Sequence, residues 1–221
     1  MPIYILDEAI YFPNVESATK EGILAVGGDL SEERLLLAYK SGIFPWYSDD
    51  EPIIWWTPNP RFVLFPTELK VSKSMQQLLN KNAFDVTYNQ VFVQVMQACA
   101  AAKRNYQTED EQGTWITDDM IEAYYNLHKK GFATSVEVWE KDELVGGLYG
   151  VQIGKCFFGE SMFHTKSNAS KYGFISLVKK LQEENFAIID CQVYTPHLES
   201  LGAKHIERKD FISILEKHTT L

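Results

Sequence analysis

A chain of 221 residues with 45% hydrophobic and 23% charged side chains is long enough to bury a core without staples, and its composition excludes the disordered and fibrous classes. A formal net charge of −9 argues against a non-specific nucleic-acid binder, since phosphate contacts need Lys and Arg. Three widely spaced cysteines, Cys99, Cys156 and Cys191, imply neither a disulfide framework nor a CxxC site and point to a reducing cytoplasm.

The chain opens Met1-Pro2-Ile3-Tyr4-Ile5-Leu6-Asp7-Glu8, without a basic stretch or a small-residue cleavage site, so no signal peptide is expected. The longest apolar runs, such as 91–95, are too short to cross a bilayer. Residues 1–66 hold seven of the eight prolines and three of the five tryptophans. Proline fixes φ and removes a donor, which predicts irregular backbone with short elements and a separate small N-terminal domain over 1–66. One helix stands out there: Ser31 is its candidate cap, Leu35, Leu36 and Tyr39 share a face, and Gly42 is its stop.

From 67 onward regular elements dominate. Residues 72–81 and 89–102 read as helices, the second with Val91, Val95, Ala98 and Cys99 on one stripe. The stretch 61–104 also concentrates base: six Lys and Arg against two acids, +4 there and −13 elsewhere. Such a face on an acidic protein suits either a phosphate backbone or ordinary solvent. Thr117 caps a further helix with Asp118 and Asp119 in its first turn, Met120, Ala123, Tyr124 and Leu127 facing inward, and Gly131 as its stop. Strands at 134–139, 144–152 and 155–162, separated by short turns, predict an antiparallel meander. A helix over 168–184, a buried strand over 186–191, a short helix over 196–201, a short strand near His205 and a last helix from Asp210 follow. Strands flanked by helices predict an α+β layer domain over 67–221.

The five histidines have no metal-ligand spacing, and no Walker loop, GxGxxG or GxSxG motif is present, so neither a metal site nor a nucleotide cradle is expected. Two acids are out of place. Glu160 closes the apolar run from Cys156, and Asp190 closes the one from Phe186. An acid in an apolar strand is costly unless paired or used. Each reads alone as a structural acid satisfied by backbone N–H groups. The two together, on strands expected to converge and with Gln192 beside Asp190, read as a site. Tyr39, Phe44, Trp46, Tyr47, Trp55 and Trp56 crowd one segment and Trp115 opens a later helix. Such rings serve equally as nucleobase platforms or as an aromatic core.

The runs Gly27-Gly28-Asp29-Leu30-Ser31, Ser41-Gly42-Ile43-Phe44-Pro45-Trp46-Tyr47, Gly113-Thr114-Trp115-Ile116-Thr117, Gly159-Glu160-Ser161-Met162-Phe163 and Asp190-Cys191-Gln192 resemble the leucyl/phenylalanyl-tRNA–protein transferase family. So do Leu144-Val145-Gly146-Gly147-Leu148-Tyr149-Gly150-Val151, Asn168-Ala169-Ser170-Lys171 and Ser200-Leu201-Gly202-Ala203, so that the likeness runs from about residue 10 to 212. The resemblance implies a small N-terminal α/β domain followed by an N-acetyltransferase-like domain with a mixed sheet. It implies a cytoplasmic enzyme, expected to be a monomer, of N-degron tagging that moves Leu or Phe from aminoacyl-tRNA to the N-terminal Arg or Lys of a protein, with no cofactor and no membrane. The aminoacyl ester is already activated, so neither metal nor ATP is called for.

Residue roles follow from the same resemblance. Asp190 is implicated in activating the amine through a relay with Gln192, and Glu160 in holding the amine. Leu148, Phe157, Met162, Phe174, Leu177 and Ile189 match an apolar pocket for the aminoacyl side chain. Tyr39, Trp46, Trp115 and Tyr124 match aromatic positions around the 3′-terminal adenosine. The family carries a basic run just after Ser74-Met75, where this chain reads Gln76-Gln77-Leu78-Leu79-Asn80-Lys81. Phosphate contacts there are therefore expected to be fewer, or shifted toward Lys70, Lys73, Lys103 and Arg104. An acetyl-CoA-dependent N-acetyltransferase would share the fold but needs a glycine-rich pyrophosphate loop before the helix near 168, where His164-Thr165-Lys166-Ser167-Asn168-Ala169 has no glycine. A non-catalytic peptide- or tRNA-binding module is the other alternative.

Overall fold

The computed structural model describes residues 3–102 and 116–220. Two sheets organise them. The first, of four strands, is built from β1 (Tyr4–Leu6), β2 (Ile23–Gly27), β3 (Phe44–Pro45) and β4 (Ile54–Trp56), in the spatial order β1-β2-β4-β3. Between β2 and β3 the chain forms α1 (Glu32–Lys40), because Leu35, Ala38 and Tyr39 recur at helical spacing and are fully buried. Gly42 ends this segment at φ +71°, a conformation that favours glycine. Ser31 occupies the cap position, but its hydroxyl makes no capping bond.

The second sheet has seven strands: β5 (Arg61–Leu64), β6 (Asp85–Tyr88), β7 (Ala133–Glu140), β8 (Glu143–Ile153), β9 (Cys156–His164), β10 (Ile188–Gln192) and β11 (Lys204–Ile206). Their order is β11-β5-β10-β9-β8-β7-β6, and every neighbouring pair is antiparallel except β9 and β10. A parallel pair needs a crossover, supplied here by α5 (Ala169–Glu183). The result is an α+β fold with a mixed sheet flanked by helices. The sheet membership of β5 means that the chain passes to the larger sheet between Trp56 and Arg61, ahead of the expected division at 66.

Helices cover both faces of the large sheet. α3 (Phe92–Ala101), α4 (Asp118–Lys129) and α7 (Arg208–His218) share one apolar cluster with α1 and the small sheet. α2 (Lys73–Asn80), α5 and α6 (Pro196–Ser200) share a second cluster on the opposite face. Successive residues of a central strand therefore enter different cores: Phe158 joins the first and Phe157 the second, as do Ile188 and Ile189. Burial on both faces explains why β9 and β10 read as unbroken apolar runs rather than alternating ones. Thr117 caps α4 as expected, its hydroxyl accepting the Met120 N–H at 3.2 Å. Among the described residues no helix is long and apolar enough to cross a membrane.

Candidate active site

Two β-bulges shape the centre of the large sheet. On β9 the register steps from Tyr149 opposite Ser161 to Gly150 opposite Gly159, which leaves Glu160 as the extra residue. Gly150 is required there, because a Cβ would sit 2.3 Å from the Phe158 carbonyl oxygen. On β10 the register steps from Asp190 opposite Val63 to Gln192 opposite Phe62, and Gln192 takes φ +62°. Bulges bend a strand and re-aim its side chains. The β9–β10 ladder itself runs no further than Asp190 opposite Phe158, so Glu160 and Gln192 meet just beyond it.

They meet by hydrogen bond. Gln192 Nε2 donates to Glu160 Oε1 at 3.0 Å, the Tyr39 hydroxyl donates to the same oxygen at 2.8 Å, and the Tyr124 hydroxyl reaches Oε2 at 3.3 Å. The two phenol oxygens also touch, joining α1 to α4 above β9, each hydroxyl having a single proton to give. Both tyrosines are fully buried, and burial, followed by the nearby Glu160, holds their hydroxyls well above the usual phenol range, so they remain donors. Glu160 itself is only half-buried. Burial pushes its carboxyl up to about 7; the Asp190 charge adds to this, while the donors Tyr39, Tyr124 and Gln192 pull the other way. A carboxyl with that value exchanges protons near neutral pH.

Asp190 has a different setting. It is 0% exposed and forms a two-pronged ion pair with Arg61, which donates from Nε to Oδ1 at 2.8 Å and from Nη2 to Oδ2 at 2.7 Å. Oδ1 also accepts the Gln192 backbone N–H at 2.9 Å. Arg61 is 1% exposed and lies over the rings of Phe44 and Phe211, at 4.7 and 4.9 Å. The expected relay between Asp190 and Gln192 is therefore a main-chain contact, and the Gln192 side chain belongs to Glu160. Arg61, one of the six basic residues of 61–104, is internal and forms no part of a basic face.

The six expected pocket residues lie in or against the second core cluster. Leu148, Phe157, Phe174, Leu177 and Ile189 are buried in the second cluster and Met162 packs half-buried against it. Of the aromatic positions, Trp46 is 41% exposed and leans on Trp56 at 5.6 Å, leaving ring surface free. Tyr39 and Tyr124 have none to offer. Tyr39 packs on Phe158 at 5.0 Å and Tyr124 on Tyr149 at 5.9 Å, and both hydroxyls are directed at Glu160. Trp115, Lys103 and Arg104 lie outside the described residues. Lys70 and Lys73 are exposed around the start of α2. Among the described residues no three His, Cys, Asp or Glu side chains are grouped to hold a metal ion.

Arg61 is the partner of Asp190 that the sequence alone did not single out. Its signal was an arginine opening the apolar run Arg61-Phe62-Val63-Leu64-Phe65, the natural complement of a lone acid in another apolar strand.

Two family models match the chain: the leucyl/phenylalanyl-tRNA protein transferase over residues 63–216 and its N-terminal domain over residues 28–59. The chain is 56% identical to a leucyl/phenylalanyl-tRNA–protein transferase of Flavobacterium johnsoniae, covering 97% of this chain and 99% of that one. It is 50% identical to one of Syntrophobacter fumaroxidans, covering 99% of this chain and 92% of the relative. With one of Pseudomonas fluorescens it shares 51% identity, covering 99% and 95% respectively. A solved GCN5-related N-acetyltransferase-like protein from Streptococcus suis aligns at 12% identity with a TM-score of 0.37, over 75% of this chain and 59% of that one, a score too low to argue from.

Proposed function

The chain belongs to the leucyl/phenylalanyl-tRNA–protein transferase family, and from that membership we propose that it moves an amino acid from aminoacyl-tRNA to the N-terminus of a protein. It is an aminoacyltransferase. The donor is Leu-tRNA or Phe-tRNA, the acceptor carries an N-terminal Arg or Lys, and the product is marked for N-degron degradation. The enzyme works as a monomer in the cytoplasm, a compartment that suits three buried cysteines outside any disulfide. Residues up to Trp56 form the small unit and those from Arg61 the catalytic one.

The observation that carries this reading is the contact of Glu160 with Gln192 beside the apolar cluster of Leu148, Phe157, Met162, Phe174, Leu177 and Ile189. A half-buried carboxylate supplies the anionic partner for an ammonium group. An apolar pocket receives a Leu or Phe side chain at roughly 1.5–3 kcal/mol, enough to prefer it over small or charged ones. Asp190 fixes the turn that presents Gln192. Trp46, with Trp115, stacks on the terminal adenine, and Lys70 and Lys73, with Lys103 and Arg104, meet phosphates. Because the ester carries its own activation, binding and proton movement suffice for the reaction.

The test is transfer of radiolabelled Leu from Leu-tRNA to a peptide with N-terminal Arg, with an N-terminal Glu peptide as the control. Label on the Arg peptide alone is the expected result. Met162→Trp, at the half-exposed edge of the apolar cluster, should stop Leu transfer while leaving the protein folded.

A further inference from the structure

Glu160 and Asp190 are both acids on central strands, yet only one is placed to exchange a proton with a substrate. Reaching Asp190 would mean parting it from a guanidinium that holds both of its oxygens, in a position without solvent exposure. Glu160 is half-buried, and the three groups that donate to it, Tyr39, Tyr124 and Gln192, are neutral. A proton arriving there displaces a hydrogen bond rather than a fixed positive charge.

Resting on the transferase reading above, we propose that Glu160 takes the proton of the attacking amine and that Arg61 is a positioning residue, converting Asp190 into the fixed acceptor that sets the Gln192 turn. The chain of contacts is continuous. Arg61 holds Asp190, Asp190 Oδ1 holds the Gln192 N–H at φ +62°, and the Gln192 amide holds Glu160 Oε1. Phe44 of the small sheet and Phe211 of α7 hold the guanidinium in turn, so the small sheet and the C-terminal helix both bear on the site.

The acceptor arrives as an ammonium ion. The Glu160 carboxylate takes one proton, and the freed nitrogen lone pair attacks the ester carbonyl carbon. A C–N bond forms as the carbonyl π pair moves to oxygen. The carbonyl re-forms as the C–O bond to the ribose oxygen breaks, and that oxygen leaves with the bonding pair and takes the proton from Glu160. The surplus proton on nitrogen then passes to the Glu160 carboxylate and on to water. One turnover thus converts an ammonium and an ester into an amide, an alcohol and one proton.

The charged and titratable groups facing Glu160 are Tyr39 from α1, Tyr124 from α4 and Asp190 from β10, with Arg61 of β5 behind Asp190 and Tyr149 of β8 behind Tyr124. Glu160 itself is pushed up to about 7, where a base is half-ionised near neutral pH.

The experiment is single-turnover transfer from a minimal aminoacyl-adenosine to an Arg-peptide, followed from about pH 5.5 to about 9, for wild type, Glu160→Gln, Asp190→Asn and Arg61→Lys. In wild type the rate should rise through about 7. In Glu160→Gln it should fall by about 10²–10⁴-fold at neutral pH, and the remainder should follow the free amine with a midpoint near ~8. Asp190→Asn and Arg61→Lys should lower the rate while keeping the carboxylate limb. If either variant fails to fold, carbon-13 NMR of the Glu160 carboxyl in wild type decides: a midpoint in the ordinary carboxylate range overturns the proposal. So does a Glu160→Gln protein with the wild-type limb, or an Asp190→Asn protein that alone loses it. Absence of transfer by the wild-type chain overturns the transferase reading and with it the proposal. Transfer with the limb unmoved in Glu160→Gln overturns the proposal alone.

Discussion

The surroundings of Asp190 and of Glu160 solve the same problem, an acid inside an apolar sheet, in opposite ways. Asp190 is buried and matched by one full positive charge from β5, the Arg61 guanidinium, which itself lies over the rings of Phe44 and Phe211. Glu160 is matched by three neutral donors and left half-open at a bulge. The first arrangement fixes a geometry. The second leaves the carboxyl without a fixed positive partner. Under the proposal above, one acid serves stability and the other chemistry, and Gln192 between them touches both.

The sharpest way to break this contrast is to remove the charge beside Asp190. Arg61→Met leaves a buried carboxylate without its partner and should cost about 3–5 kcal/mol, read as a fall in the denaturant midpoint. Replacing both partners, Arg61→Met with Asp190→Leu, should recover most of that loss, because a well-packed apolar pair is often as stable as a buried ion pair. A double variant no more stable than Arg61→Met would show that the pair is not the unit. For the same reason Asp190→Ala is a poor test of chemistry, since it strands the Arg61 guanidinium in the core.

The second prediction concerns pH. Glu160 ionises at about 7 when folded and in the ordinary carboxylate range when unfolded, so the folded chain holds that proton longer. Its contribution to stability is full below the ordinary range and is lost as pH rises to about 7. Glu160→Gln removes this loss. At pH values above 7 it should be more stable than wild type by on the order of 1–3 kcal/mol, and below the carboxylate range the two should converge. Chemical denaturation across this pH interval measures the difference directly. A gap that widened toward acid would mean that Glu160 is held ionised in the folded chain.

What was legible in the sequence follows from length and periodicity. The meander of β7, β8 and β9 and the helices α4 and α5 span eight to fifteen residues, long enough for a period to register. The small sheet was not, because its strands run from two to five residues and one of them ends in Pro45. Glu160 and Asp190 stood out as acids in apolar runs, but their division of labour did not. Asp190 takes its partner from 129 positions away, and Glu160 owes its direction to a register step opposite Gly150. Tyr39 and Tyr124, 85 positions apart, were legible as aromatics and not as a pair of hydroxyls aimed at one carboxylate. Such contacts depend on tertiary approach, which no local pattern encodes.

The finest test concerns those two hydroxyls. Each donates to Glu160 and so favours its ionised form, which means that removing either should raise the pH at which Glu160 ionises. Tyr39 makes the shorter bond, 2.8 Å against 3.3 Å for Tyr124, and should have the larger effect. A net hydrogen-bond contribution of about 1 kcal/mol corresponds to about 0.7 of a pH unit, so Tyr39→Phe should move the carboxylate limb of transfer upward by roughly that amount. Tyr124→Phe should move it by less than half as much, since Glu160 keeps both donors on Oε1. If both variants left the limb in place and lowered only the rate, the phenols would be shaping the pocket rather than tuning the acid. If either moved it downward, Glu160 would be receiving its control from Asp190, and the separation between the two acids would be smaller than their geometry indicates.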